Sequence, residues 1–206
     1  MIEVFLAFVA LICYLHFEDQ KWADVAAFSK PLIIAPLIFR SLTNNDDILT
    51  IGLAFSMIAD FFLDLPFEIN LVRGLTLFTA AQFCYALSFI QRAEIIRWRT
   101  LVPYVILSMI VTDTLKSRLS KRPLKESSTK LSVRAAVFLY ISISSLTGGL
   151  SFNHALETGN YMPLYGTSCF IVSDLLIAQD RFVRRIFESS TLVMSTYLMA
   201  QILISS

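Results

Sequence analysis

The chain of 206 residues is 56% hydrophobic and 16% charged, and its 17 Lys+Arg against 16 Asp+Glu leave a net charge of +1. So large an apolar excess excludes a soluble single-core domain and a disordered chain, and the balanced charge offers no basic field to a nucleic-acid partner. The odd set Cys13, Cys84 and Cys169, all in apolar runs, implies no disulfide framework, and His16 with His154 are too few for a three-histidine zinc site, so neither metal nor cofactor is expected.

A helix needs about 20 predominantly apolar residues to cross a bilayer. Eight such runs occur in chain order, at 2–17, 25–40, 48–65, 70–91, 100–115, 131–150, 161–180 and 189–205. The expected fold is therefore all-α: a single transmembrane helical domain over 1–206, a polytopic bundle of about eight transmembrane helices. The first run starts Met1-Ile2-Glu3 with no basic n-region and no small-residue cleavage site before Glu18, so it reads as a spanning helix and not a signal peptide. Lys30-Pro31 interrupts the second run and Asp113 the fifth, breaks that neighbouring helices can satisfy. The longest connection, 116–130, is basic, and no soluble domain fits between the helices. Lys21, Arg73, the lysines and arginines of 116–130, and Arg181, Arg184 and Arg185 fall in the odd loops; Arg40, Arg92, Arg97 and Arg99 fall in the even ones. The positive-inside rule then places the odd loops in the cytoplasm and both termini outside or in a lumen.

A charge at a helix centre costs roughly 2.5 to 3.5 kcal/mol on insertion scales, so such residues turn to the bundle interior. Lys30 in the second run, Asp60 in the third and Asp174 in the seventh reach a similar depth once the alternating helix directions are taken into account, at about 1.5 Å per residue. They are expected to meet near the cytoplasmic third of the membrane. Gly52, Ser56, Asp60 and Asp64 share one face of the third run, Gln82 and Tyr85 one face of the fourth, and Tyr197 and Gln201 one face of the eighth. Each feature also has a structural reading. The Gly/Ser stripe serves as a packing seam, Asp60 and Asp174 as a buried structural pair, and Lys30 as a neutralising partner of a carboxylate. Asp64 and Asp180 suit the interface, Arg73, Arg181, Arg184 and Arg185 suit headgroup-level anchors or phosphate ligands, and His16 and His154 fall at a helix end and in a loop. A short echo between FSMIADFFLDL (55–65) and CFIVSDLLIAQ (169–179), four helices apart, fits a 4+4 repeat whose related helices each bring one carboxylate to a common interface.

Neither a GxSxG elbow nor a P-loop occurs, and the histidine count disfavours a Ser-His-Asp arrangement. What remains is acid/base work by carboxyl groups, one protonated and one ionised near Lys30.

The segments SKPL (29–32), FSMIADFFLDLP (55–66), LVRGLTLFTAAQFCYALSF (71–89), CFIVSDLLIAQDRF (169–182) and LVMSTYLMAQILIS (192–205) closely resemble the lysoplasmalogenase (YhhN-like) family. The resemblance covers the second to fourth and the seventh and eighth runs and is weak in the first, fifth and sixth. It implies a multi-pass enzyme of lipid metabolism, seated in the endoplasmic reticulum membrane. That enzyme hydrolyses the vinyl ether of a lysoplasmalogen to a fatty aldehyde and glycerophosphoethanolamine or glycerophosphocholine. It implies Asp60 and Asp174 as the catalytic pair, with Lys30, Tyr197 and Gln201 beside them. In the acid/base reaction so implied, Lys30 is expected to keep the second carboxylate ionised, Tyr197, Gln201 and Gln82 to orient water or the glycerol oxygens, Tyr85 to bind substrate with them, and Arg181 or Arg73 to hold the phosphate. Ala59 stands where the family has Gly, and Gln82 where a histidine is common. The partners implied are a lysophospholipid substrate and membrane lipid. A proton-coupled small-molecule or lipid transporter and a non-catalytic lipid-binding protein use the same buried acids.

Overall fold

Apolar runs joined by short polar turns have one economical arrangement, antiparallel helices that satisfy their own backbone and share their buried faces. The computed structural model describes residues 2–20, 22–65, 68–93, 95–120, 127–182, 184, 186 and 188–206, and among them no strand occurs. The helices are α1 (Ile2–Asp19), α2 (Ala23–Ser29), α3 (Ala35–Thr43), α4 (Asp47–Asp64), α5 (Glu68–Arg92), α6 (Trp98–Ser120), α7 (Ser127–Thr158), α8 (Met162–Phe182) and α9 (Ser189–Ile204), with a 3-10 turn at Lys30–Ile33 between α2 and α3. The second predicted run is thus one broken rod. Pro31 and Pro36 stand at the starts of the turn and of α3, where a missing N–H costs nothing.

Two antiparallel pairs, α4 with α5 and α8 with α9, make the most extensive contacts, and α7 joins them by packing on α5, α6 and α8. The core between the pairs is aromatic. Phe78 of α5 meets Tyr140, Phe170 and Tyr197 edge-on at ring separations of 6.4, 6.1 and 6.0 Å, and Phe170 meets Tyr197 at 5.5 Å. Such edge-to-face geometry adds about 0.5–1.5 kcal/mol per pair beyond burial. Asp46 caps α4 by accepting the Leu49 N–H at 3.1 Å.

Helix α7 is longer than the apolar run that announces it, because its polar end has a structural use. Asn153 donates to the Ile95 carbonyl and accepts from the Arg97 N–H, each at 2.9 Å, bracing the α5–α6 connection. His154, expected in a loop, lies inside α7, buried, with its ring 5.9 Å from Phe89. Among the described residues one stretch, Ser132–Thr158 of α7, is both long and apolar enough to cross a membrane, while α9 is apolar but shorter. Two of the other helices have apolar middles and acids toward their ends: α1 carries Glu3, Glu18 and Asp19, and α4 carries Asp47, Asp60 and Asp64.

Candidate active site

On α4 the four-residue spacing of Gly52, Ser56 and Asp60 turns all three into the bundle, where they are buried. Gly52 is needed for a close approach: a Cβ there would lie 2.5 Å from Cε1 of Tyr85. The Tyr85 ring therefore lies flush on α4, and its hydroxyl bonds Ser56 Oγ at 3.0 Å and donates to Gln201 Oε1 at 2.9 Å. One turn further along α4, Asp60 is 2% exposed, and its Oδ2 accepts from the Tyr197 hydroxyl of α9 at 2.8 Å.

The second carboxylate has a matching but separate support. Asp174 of α8, half-buried, accepts at Oδ2 from the Tyr140 hydroxyl of α7 at 2.7 Å. Tyr140 was not among the residues singled out from the sequence. Its signal is the stripe Tyr140, Ser144, Thr147 and Ser151, which follows helical spacing through the sixth run.

Asp60, Asp174, both tyrosines and Lys30 line one cavity of about 130 Å³. Its remaining walls are largely apolar, among them Phe78, Phe170, Leu71, Leu75, Val111, Val137 and Ile141. The three charges predicted to converge from separate helices do so. Lys30, however, bonds Asp64 at 2.7 Å, tying the 3-10 turn to the end of α4.

Gln82, Tyr85 and Gln201 are fully buried but are not among the residues lining the cavity. Tyr85 and Gln201 form the hydrogen-bonded layer described above, and the Gln82 carbonyl accepts from Thr147 Oγ1 at 2.9 Å. Arg73 is exposed, bonds Asn70 at 3.2 Å and lies over the Phe62 ring. The side chain of Arg181 lies outside the described residues, as do those of the basic 116–130 segment.

Chemically, the arrangement offers two carboxyl groups, each held by a tyrosine hydroxyl, in the wall of a largely apolar chamber.

A family model described as the YhhN family matches residues 25–206. The chain belongs to the YhhN family. The match extends through α6 and α7, beyond the motifs that carry the resemblance in the sequence. Over 155 residues this YhhN protein is 31% identical to the lysoplasmalogenase TMEM86A of Bos taurus, which covers 75% of the chain and 62% of that relative. It therefore spans less than two thirds of the relative's length. No solved structure matches the chain.

Proposed function

We propose that this YhhN protein is a multi-pass membrane hydrolase that cleaves the vinyl ether bond of a lysoplasmalogen, with Asp174 and Asp60 as its acid/base pair. The observation that carries the reading is that one apolar cavity is lined by both aspartates and both of their tyrosines. The name of the cattle relative supports the reaction class.

A vinyl ether is a weak base at the alkene carbon remote from oxygen. A carboxylic acid held there donates its proton as the π pair forms the new C–H bond, leaving an oxocarbenium ion. A carboxylate beside it stabilises the cation and takes a proton from water as that oxygen adds, giving a hemiacetal. Collapse breaks the C–O bond, and one water has been consumed to yield an aldehyde and an alcohol. Paired carboxyl groups perform the same division of labour on glycosides. Asp60 and Asp174 divide the acid and the carboxylate roles between them. Both tyrosines hold their carboxyl groups toward the chamber, and the aliphatic walls receive the hydrocarbon chain. Its route of entry is lateral, between α6 and α8, which touch only sparsely.

Outward-facing apolar side chains such as Phe5, Ile12, Phe28, Ile110 and Leu139 support a bundle wrapped in lipid. The test is direct. Purified protein given a 1-alkenyl lysophospholipid releases aldehyde, and Asp60→Asn and Asp174→Asn each lower release on the order of 100-fold or more, while both variants elute and melt as the parent does. Parental turnover by either folded variant removes that aspartate from the mechanism.

A further inference from the structure

A second cavity of about 200 Å³ adjoins the catalytic one and shares Lys30, Leu63, Ile177, Val193 and Met194 with it. Its character is opposite. Tyr14, Glu18, Asp64, Asp180 and Ser190 line it, so the apolar chamber passes across Lys30 into a polar vestibule. Glu18 is one residue from the end of α1, Asp64 ends α4, Asp180 lies in the last turn of α8 and Ser190 in the first turn of α9. The vestibule therefore sits at the helix ends, the depth at which a phospholipid keeps its headgroup.

We infer that this vestibule is the headgroup pocket of the substrate and that Glu18 and Asp180 select heads that end in an amine; the inference rests on the hydrolase reading above. An amphipathic ligand whose chain fills the apolar chamber must place its polar end across Lys30. The described lining supplies carboxylates from three helices against the one ammonium of Lys30, a balance that favours a distal cation and disfavours a second net negative charge. The Tyr14 ring is already a cation seat, since Lys30 Nζ lies 5.9 Å from its centroid. Lys30 at the junction is placed to meet the phosphate between the glycerol and the amine. Glu18 and Asp180 keep their structural duties when made neutral, because Glu18 accepts from the Ser190 hydroxyl and Asp180 from the Ile186 N–H, and an amide oxygen accepts equally.

The experiment uses the full chain in mixed micelles with two 1-alkenyl lysolipids, one with a phosphoethanolamine head and one with a bare phosphate. Glu18→Gln and Asp180→Asn each raise KM for the amine-headed lipid about fivefold to tenfold with kcat changed less than twofold, and narrow the preference over the bare phosphate. An equal rise in KM for both lipids, an unchanged KM, or a loss of kcat alone overturns the inference. Binding of the matching saturated 1-alkyl lysolipids, which have no alkene to hydrolyse, separates the two readings. Preferential retention of the amine-headed alkyl lipid, lost in both variants, upholds the vestibule even where no aldehyde forms. Aldehyde release without that preference upholds the hydrolase and rejects the vestibule.

Discussion

A tyrosine hydroxyl on a carboxyl oxygen fixes the rotamer of the acid and leaves its other oxygen to face the chamber. Tyr140 and Tyr197 do this for Asp174 and Asp60 from different helices. Removing either hydroxyl keeps the ring packing on Phe78 and deletes one hydrogen bond to the acid. Tyr140→Phe and Tyr197→Phe are therefore expected to lower kcat about tenfold, or about 1.4 kcal/mol, with KM nearly constant; steady-state aldehyde release measures both. A rise in KM with unchanged kcat would instead make the tyrosines ligands of the ground-state lipid. The aspartates and Lys30 were legible from sequence because a charge inside an apolar run is expensive and stands out. Tyr140 was not, because a tyrosine is ordinary in such a run. Only its placement opposite Asp174 gives the hydroxyl a purpose, and that is a long-range fact.

At the scale of elements, the eight apolar runs mark where helices lie, but not where they end or break. A polar residue at a helix end reads as a loop until its partner is known, as Asn153 of α7 illustrates. The pairs α4–α5 and α8–α9 occupy equivalent places in the proposed repeat, yet the acids take their tyrosines from α9 and α7, so their supports do not follow that repeat. Two contacts set how these pairs are held. On α8, a Cβ at Gly166 would lie 2.8 Å from the Ile204 backbone N and 2.9 Å from the Ala200 carbonyl O of α9, atoms that cannot rotate away. Gly166→Ala is expected to cost about 1–3 kcal/mol and to lower the melting temperature in detergent; an unchanged melting point would mean the pair is looser than its backbone contacts require. The Lys30–Asp64 bridge, with side chains 10% and 22% exposed, pins the 3-10 turn to α4. Lys30→Met strands Asp64 and is expected to cost about 2 kcal/mol, less than a fully dry pair because water reaches the carboxylate. Adding Asp64→Leu restores most of that loss, whereas a double variant no more stable than the single one would show that the bridge contributes nothing.

For the whole molecule, the proposed membrane setting rests on the outer surface. Phe5, Ile12, Phe28, Ile110, Leu139 and Val172 point outward from α1, α2, α6, α7 and α8, and water on all of them would drive aggregation. Cys13 turns this into a measurement. It is exposed near the middle of α1, beside Ile12, which is 65% exposed. A maleimide reacts with thiolate, and thiolate needs water. With Cys84 and Cys169 replaced by alanine, Cys13 in sealed vesicles is expected to resist a membrane-impermeant maleimide for hours and to react within minutes once the protein is denatured in SDS. Rapid labelling of the folded protein in intact vesicles would place this face in water, and with it fall both the spanning bundle and the lateral route by which a lysolipid reaches the two aspartates.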